Sequence, residues 1–215
     1  MPVLHYHPGV ASMIAHIVLE EIGKPFALEY VDREHDAHKS PDYLRLNPNG
    51  LIPVLIDGDQ VLYETAAICL YLADAHPDAG LMAPPGTALR AQTTKWLVWM
   101  SATLQATLLL YFYPERWVNP GNLAAADEIR AHAEARVGEL LEQIDAQLAA
   151  SGGPWLLGGH YTVADPYALV LCRWTRGFAR PARSYAQVGP YLQRLLARPA
   201  VARVFATEKI GAPLV

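Results

Sequence analysis

Cysteine is scarce in this sequence, and long apolar or basic runs are absent. Two of the 215 residues are cysteine, and both Cys69 and Cys172 lie in apolar helical patterns, where small buried side chains are common. No apolar stretch reaches the roughly 18 residues that a membrane helix requires, and the N-terminus has no signal-peptide pattern. The formal charge of −4 and the lack of a basic run disfavour nucleic acid and anionic membranes as partners. We therefore expect a soluble cytoplasmic protein that binds neither nucleic acid nor membrane.

The apolar periodicity changes along the chain, and 52% hydrophobic residues predict a folded protein. The first 77 residues alternate in the order strand, helix, strand, short helix, strand, strand, helix. Residues 78–87 contain Gly and Pro and are typical of a linker. Almost all of residues 88–215 has a helical pattern, including one long pattern that ends near Pro114. The sequence thus predicts an α/β domain at 1–77, followed by an all-helical domain at 88–215.

Pro53 interrupts an apolar strand pattern. Proline cannot donate a ladder hydrogen bond, so it belongs at a sheet edge or in a special turn. A cis Ile52–Pro53 bond would turn the chain sharply and leave the Ile52 N–H and C=O free. A peptide-like ligand can pair with such a backbone as an added short strand. An ordinary edge-strand proline explains the pattern equally well.

Glu64 and Thr65 stand where a predicted strand ends and a helix begins. Thr65 is a suitable N-cap, and its hydroxyl and the following N–H groups can bind a carboxylate. The Glu64 carboxylate can pair with an ammonium group. Together these groups fit the α-amino-acid end of a ligand, and ordinary helix capping beside a solvated acid is the alternative.

Residues 6–16 (YHPGVASMIAH) predict a strand that turns sharply into a helix near Ser12. Backbone N–H groups and one or two side chains converge at such a turn. The turn therefore suits an anion or an activated nucleophile.

Three stretches resemble the cytosolic glutathione S-transferase family. Residues 47–55 (NPNGLIPVL) look like its cis-proline loop, and residues 63–74 (YETAAICLYLAD) look like its segment for the γ-glutamyl end of glutathione. Residues 161–171 (YTVADPYALVL) are similar to its capping motif at the buried helix of the second domain. The resemblance implies a thioredoxin-like domain of order βαβαββα, a following helical domain, and glutathione as co-substrate. It also implies a homodimer and a small hydrophobic electrophile as the second substrate.

The resemblance also implies which residues hold glutathione. It assigns this role to Ile52, Pro53, Glu64 and Thr65. Lys39 lies roughly where the family has a basic residue that reaches the glycyl carboxylate.

Residues 6–16 are similar to the first turn of bacterial beta-class members of the family, with two departures. The class has a cysteine where this chain has Ala11, and a histidine on the long helix where this chain has Gln105. His16 does match a histidine of the class. Both departures count against chemistry based on a mixed disulfide with a protein thiol.

Activation of glutathione requires its sulfur as a thiolate. Ser12 is the leading candidate to donate a hydrogen bond to that sulfur, and helix capping is the competing role of its hydroxyl. Tyr6 is the second candidate, because other classes of the family use a tyrosine near the end of this strand. The N–H groups of Ala11 and Ser12 are a third candidate, which needs no hydroxyl.

The electrophile pocket is expected to draw on the long helix and the residues after it. We expect Gln105, Tyr111 and Trp117 to line this pocket. The alternative is that they pack in the core, as most such residues do. His35 and His38 lie in a charged loop that we expect to be solvated, and we expect no metal site. The same fold also admits a glutathione-dependent isomerase or dehalogenase, or a non-catalytic binding protein.

Thr162 and Asp165 have the three-residue spacing of a capping box. In this motif Thr162 caps the helix and Asp165 returns the hydrogen bond. We therefore expect Asp165→Ala to impair folding more than catalysis.

Overall fold

The computed structural model describes residues 1–215, which form two compact units. The first unit comprises Met1–Arg90 and Leu195–Leu214, and the second comprises Ala91–Arg194 and Val215. None of the helices combines the length and the hydropathy that crossing a bilayer requires.

The first unit is built around a four-stranded mixed sheet. Its first elements are β1 (Val3–Tyr6), α1 (Ser12–Ile22), β2 (Ala27–Tyr30), α2 (Pro41–Leu46), β3 (Val54–Asp57), β4 (Gln60–Tyr63) and α3 (Thr65–Ala75). The strands stand in the order β2-β1-β3-β4, with β1 and β2 parallel and the other two pairs antiparallel. The predicted βαβαββα order is therefore confirmed.

The strand register brings three chain segments to one end of the sheet. Val54 in β3 lies opposite His5 in β1 and opposite Tyr63 in β4. The residues that follow β1, precede β3 and follow β4 are therefore neighbours, at a strand spacing of about 4.8 Å. Pro53 and Glu64 therefore lie at the same end of the sheet as the last residue of β1.

The main core of the first unit lies between the sheet and α1. Leu4 and Leu55 are fully buried on one face of the sheet, and α1 buries its apolar side chains while packing on β1 and α3. A further helix, α9 (Pro199–Thr207), packs along α1 from the C-terminal segment of the same unit. The opposite face of the sheet carries a smaller buried cluster of Val31, Tyr43 and Val54.

Two local sequence signals take their usual form in this unit. Ser40 accepts a hydrogen bond from the Tyr43 N–H at 3.2 Å and caps α2, with Pro41 in the first turn. Gly58 has a φ of 59° in the turn that joins β3 to β4. Glycine adopts this left-handed conformation without steric cost, so the hairpin forms where the Asp-Gly-Asp sequence predicts it.

Helices account for most of the second unit. They are α4 (Ala88–Trp99), α5 (Ala106–Phe112), α6 (Leu123–Ser151), α7 (Ala164–Trp174) and α8 (Val188–Leu196). The long helical pattern that ends near Pro114 is not one uniform helix, because Met100–Gln105 between α4 and α5 is π-helical. A short π-helical insertion inside α-helix is rare and often lies at functional sites.

The predicted return bond from Asp165 to Thr162 forms before α7, but the N-cap of α7 is Val163, so the prediction that Thr162 is the N-cap is wrong by one position. Asp165 accepts the Thr162 N–H at 2.7 Å, and the Thr162 hydroxyl oxygen accepts the Ala164 N–H at 3.3 Å. Asp165 also accepts the Leu156 N–H at 3.0 Å and the Tyr191 hydroxyl at 2.8 Å. Burial raises the pKa of Asp165 to about 6, although these hydrogen bonds act in the opposite direction. The carboxylate thus ties α8 and the loop before α7 to the helix start.

Candidate functional site

The Ile52–Pro53 peptide bond is cis, which confirms the first of the two interpretations of Pro53. Pro53 is buried immediately before β3. No protein group forms a hydrogen bond with the Ile52 N–H or C=O, while the Ile52 side chain packs against the cluster around Val54. The Ile52 backbone is therefore available as a short edge with which an extended peptide can pair.

The loop that leads to Ile52 is held by two side chains. The Tyr43 hydroxyl donates to the Leu51 carbonyl oxygen at 2.9 Å, and Asn47 Nδ2 donates to the same oxygen at 2.8 Å. Burial raises the pKa of Tyr43, which keeps its hydroxyl protonated as a donor. Asn47 also accepts the Asn49 N–H at 3.0 Å. This support was not predicted, because in the sequence Asn47 reads simply as the end of a short helix.

Glu64 precedes α3 in a backbone conformation that is rare for a residue with a side chain. Its φ is 69° and its ψ is 108°, and such a conformation costs about 1–3 kcal/mol. The Glu64 side chain is exposed and makes no capping hydrogen bond. Thr65 is buried and is the first residue of α3, so the prediction that Thr65 is the N-cap is wrong by one position. The structure thus holds an exposed carboxylate beside the N–H groups at the start of α3.

Ser12 is the first residue of α1 and is fully buried. Its hydroxyl donates to the His7 carbonyl oxygen at 3.0 Å and accepts the His7 N–H at 3.2 Å. Ala11 holds the N-cap position without a side-chain hydrogen bond. The hydroxyl of Ser12 therefore closes the turn between His7 and α1, and the helix-capping alternative is wrong. At the start of α1 the Ala11 and Ser12 N–H groups have no backbone acceptor, whereas the Met13 N–H donates to the Val10 carbonyl oxygen at 3.0 Å.

Tyr6 ends β1 and is partly buried on the side of the sheet that carries α1. Its ring contacts His16 and Tyr30 edge to face, each with a centroid distance of 6.1 Å. Burial, then the nearby Glu208 carboxylate and the Tyr30 hydroxyl, raise the pKa of Tyr6. A raised pKa makes the phenol a weaker proton donor, which disfavours strong stabilisation of a thiolate by this group.

Glu208, which no sequence pattern singled out, is bonded to the turn after β1. Its Oε2 accepts the Gly9 N–H at 2.8 Å, and its Oε1 lies 2.8 Å from His16 Nδ1. The Glu208 side chain is fully buried. A carboxylate at the end of α9 therefore fixes both the Pro8-Gly9 turn and the middle of α1. The sequence separation from Gly9 is 199 residues, so no local signal could have revealed this contact.

Lys39 and His38 lie beside the loop that leads to Ile52. A Cβ atom placed on Gly50 would be 3.2 Å from the His38 carbonyl oxygen and 4.0 Å from the Lys39 Cγ. Lys39 is exposed and pairs with Asp36 at 2.9 Å. The expectation that His38 is solvated is wrong for its Nδ1, which is buried without a hydrogen-bond partner. Burial and then Arg33 lower the pKa of His38, so its neutral form is favoured.

The three predicted pocket residues of the second unit have different surroundings. The Gln105 side-chain oxygen accepts the Tyr167 hydroxyl at 2.6 Å at the end of the π-helical segment. The Tyr111 ring packs on Phe178 with a centroid distance of 4.3 Å. Trp117 is 65% exposed. No hydrogen bond or ring contact joins any two of these three side chains.

The sheet register gathers most of the predicted glutathione residues at one end of the sheet. Tyr6 ends β1, Ile52 and Pro53 precede β3, and Glu64 with Thr65 follows β4. No group of three or more His, Cys, Asp or Glu side chains is placed to hold a metal ion. This end of the sheet therefore offers backbone, helix-terminal and carboxylate groups for a polar ligand.

The first unit is thioredoxin-like, with a cis-proline before β3, and a helical unit follows it along the chain. The family model for the glutathione S-transferase N-terminal domain matches residues 11–75, and that for the C-terminal domain matches residues 118–208. The chain is 34% identical over 196 residues to glutathione S-transferase GST-4.5 of Xanthomonas campestris pv. campestris, covering 90% of this chain and 92% of that protein. The chain belongs to the glutathione S-transferase family.

Two similar solved structures agree with the resemblance seen in the sequence. A glutathione transferase homologue from Sulfitobacter, solved with bound glutathione, has a TM-score of 0.87 at 27% identity, covering 96% of this chain and 98% of that chain. A bacterial beta-class glutathione S-transferase of Sphingomonas chungbukensis has a TM-score of 0.82 at 29% identity, covering 99% and 100% of the two chains. The predicted fold and the predicted family are thus confirmed.

Proposed function

We propose that this protein conjugates the thiolate of glutathione to small hydrophobic electrophiles. One observation carries the proposal: three groups lie at the same end of three neighbouring strands. The turn into α1 follows β1, the Ile52 backbone precedes β3, and Glu64 with the start of α3 follows β4. Each of these groups offers what a different part of the tripeptide needs. We assign this glutathione-binding role to residues 1–77 and the electrophile pocket to residues 88–215.

The γ-glutamyl end binds at the start of α3. The unsatisfied N–H groups there, with the Thr65 hydroxyl, suit its α-carboxylate. The exposed Glu64 carboxylate suits its ammonium group. The two opposite charges of an α-amino acid thus meet groups of complementary sign within two consecutive residues.

The rest of the peptide pairs with the loop before β3. The cysteinyl residue of glutathione extends alongside the Ile52 N–H and C=O, with Pro53 fixing the direction of the chain. Lys39 releases Asp36 and binds the glycyl carboxylate in its place. This exchange costs little, because both partners of the Lys39–Asp36 pair are exposed and such pairs contribute about 0–1 kcal/mol.

The glutathione sulfur lies at the start of α1, where the Ala11 and Ser12 N–H groups stabilise its thiolate. These amides carry the positive end of the helix dipole and need no proton transfer. The Ser12 hydroxyl is a donor to the sulfur only if it leaves the His7 carbonyl oxygen. Tyr6 is the remaining candidate, and its raised pKa weakens it as a donor.

The electrophile binds beside Gln105, Tyr111 and Trp117. Because the Gln105 side-chain oxygen already accepts the Tyr167 hydroxyl, the amide group offers its N–H donors to a substrate. A homodimer, which the family resemblance implies, and a cytoplasmic location, which the sequence predicts, belong to the same proposal.

A non-catalytic glutathione-binding protein is the second candidate. It is favoured by Ala11, which replaces the cysteine of the beta class, and by the hydrogen bond that occupies the Ser12 proton. Under this alternative the same end of the sheet binds glutathione without lowering the pKa of the glutathione thiol.

Retention on immobilised glutathione, together with conjugation of 1-chloro-2,4-dinitrobenzene, tests the proposal. We expect wild-type protein to be retained, to elute with free glutathione, and to conjugate the halide above the uncatalysed rate. Glu64→Ala should weaken both, whereas Glu29→Ala, which removes an exposed acid from β2 of the same sheet, should leave both unchanged. Absence of retention and turnover contradicts the proposal, and retention without turnover selects the non-catalytic alternative.

A further inference from the structure

A second concave site lies within the first unit, between α1, the start of β2 and α9. It is a groove of about 680 Å³, within the size range of small-molecule sites. Apolar groups from Leu19, Pro25, Phe26 and Leu28 form part of its wall. None of these residues belongs to the proposed glutathione site at the end of the sheet.

His16 forms the deep end of this groove and has one unused nitrogen. The residue is 1% exposed, and its Nε2 has no hydrogen-bond partner among the protein groups. Its Nδ1 faces the Glu208 carboxylate at 2.8 Å. Because the Glu208 carboxylate occupies Nδ1, Nε2 is the ring nitrogen that is left for a ligand.

His16 lines the groove, whereas Glu208, the partner of its Nδ1, does not. The Phe26 ring, which also lines the groove, packs edge to face on His16 with a centroid distance of 5.7 Å. Because Nε2 is buried, a ligand reaches it only by displacing a neighbouring side chain, of which the partly exposed Phe26 is one.

The mouth of the groove carries a net positive charge. Arg203 pairs with Glu20 through Nε and Oε2 at 2.5 Å, which leaves one cation balanced by one anion. Lys24 donates to His76 Nδ1 at 3.2 Å and has no acidic partner there. Three charged side chains thus give one unbalanced positive charge at the entrance.

The spacing of these groups sets the size of the ligand. Glu20, with Arg203 bound to it, is one helical turn from His16, a rise of about 6 Å along α1. This distance is comparable to that between a hydroxyl and a carboxylate at opposite ends of a benzene ring. Lys24 follows Gly23, whose left-handed conformation ends α1.

We propose that this groove binds a small flat phenol that carries a carboxylate. Its hydroxyl donates to His16 Nε2, its ring replaces Phe26 against the apolar wall, and its carboxylate meets Arg203 and Lys24. Each end of the ligand satisfies a group that the protein leaves unsatisfied or unbalanced.

Calorimetric titration with 4-hydroxybenzoate tests this site, with S-hexylglutathione present at saturation to occupy the conjugation site. We expect 4-methoxybenzoate, which lacks the hydroxyl donor, to bind at least about tenfold more weakly, the effect of one lost buried hydrogen bond. We expect 4-methylphenol, which lacks the carboxylate, to bind about threefold to tenfold more weakly.

Variants locate the binding on the chain. His16→Phe should abolish the preference for the hydroxyl, and Lys24→Gln should weaken binding of both acids alike. Lys95→Gln is the matched control, because Lys95 is an exposed lysine of the second unit that stacks on Trp96. Because loss of the Glu208 partner can impair folding, the His16 ¹⁵N imidazole resonances of wild-type protein provide a second readout, and the Nε2 signal should shift with 4-hydroxybenzoate.

Three results would overturn the proposal. They are equal affinities for the hydroxy and methoxy acids, displacement of 4-hydroxybenzoate by S-hexylglutathione, and an unchanged Nε2 signal at saturating ligand. Since the assay needs no conjugation activity, failure here leaves the proposed transferase function unaffected.

Discussion

The Ser12 hydroxyl donates to the His7 carbonyl oxygen at 3.0 Å and accepts the His7 N–H at 3.2 Å. These two bonds close the turn that joins β1 to α1. A hydroxyl has one proton, so the bond to His7 competes directly with any bond from Ser12 to a bound sulfur. The backbone N–H groups at the start of α1 therefore become the leading candidates for thiolate stabilisation.

Substitution of Ser12 should affect stability more than sulfur activation. Ser12→Ala removes both bonds to His7 and leaves buried backbone groups unpaired, which should lower the free energy of unfolding by about 2 kcal/mol. The pKa of the bound glutathione thiol, followed by thiolate absorbance against pH, should stay within about half a unit of the wild-type value, a difference of less than about 1 kcal/mol. A rise of more than about one unit would assign the hydroxyl to the sulfur instead.

Removal of the Tyr6 hydroxyl should have a small effect on conjugation. Burial and the Glu208 carboxylate raise the pKa of Tyr6, so its phenol is a poor source of charge stabilisation for a thiolate. We expect Tyr6→Phe to change kcat/KM for an aryl halide by less than about twofold. A loss beyond about tenfold at unchanged stability would instead identify Tyr6 as the activating group.

Two substitutions at Glu64 should separate backbone strain from ligand binding. Glu64→Gly relieves the cost of a φ of 69° and should raise the free energy of unfolding by about 1 kcal/mol. Glu64→Ala keeps the strain and should not stabilise the protein. Both variants remove the carboxylate, so both should bind glutathione about tenfold or more weakly by calorimetry.

The control for this pair is again Glu29→Ala, which removes an exposed acid from the same sheet. It should change neither quantity. If Glu64→Gly destabilised the chain, or if it bound glutathione as wild type does, the strained residue would have no role in the site.

The capping box at α7 should dominate the stability of the second unit. Asp165→Ala leaves the Leu156 and Thr162 N–H groups and the Tyr191 hydroxyl without their acceptor, and should cost about 4 kcal/mol in urea unfolding. The fraction that folds should retain its affinity for glutathione. Loss of glutathione affinity at unchanged stability would contradict this structural role.

Asp165 should also make stability depend on pH. Burial raises its pKa from 3.8 to about 6 in the folded state, so folding favours the protonated acid. The resulting stabilisation is complete below the unfolded pKa and is lost as the pH rises through the folded value. The free energy of unfolding of wild type, compared with that of Asp165→Asn, should therefore fall between about pH 4 and pH 7. A constant difference across this range would show that the carboxyl does not titrate there.

Local signals predicted much of the first unit. Strand alternation, the Ser40 cap and the turn at Gly58 depend on neighbouring residues, and each forms where the sequence indicates. The cis bond before Pro53 was one of two open interpretations, and the family resemblance selected it correctly. The N-cap of α3 was misassigned because an exposed Glu64 with positive φ has no propensity signature.

Contacts between distant segments could not be predicted. Glu208 meets Gly9 and His16 across nearly the whole length of the chain. The hydrogen bond between Gln105 and Tyr167 joins two helices, and it follows a π-helical turn that apolar periodicity does not encode. Such features depend on packing, which fixes side-chain directions only after the elements have assembled.

The position of the sulfur in a crystal structure with bound glutathione is the most direct test of the central claim. We predict the γ-glutamyl carboxylate at the Thr65 N–H, the cysteinyl backbone paired with Ile52, and the sulfur within about 3.5 Å of the Ala11 or Ser12 N–H. Glutathione bound away from the cis-Pro53 loop, or a sulfur more than about 5 Å from the start of α1, would contradict the account.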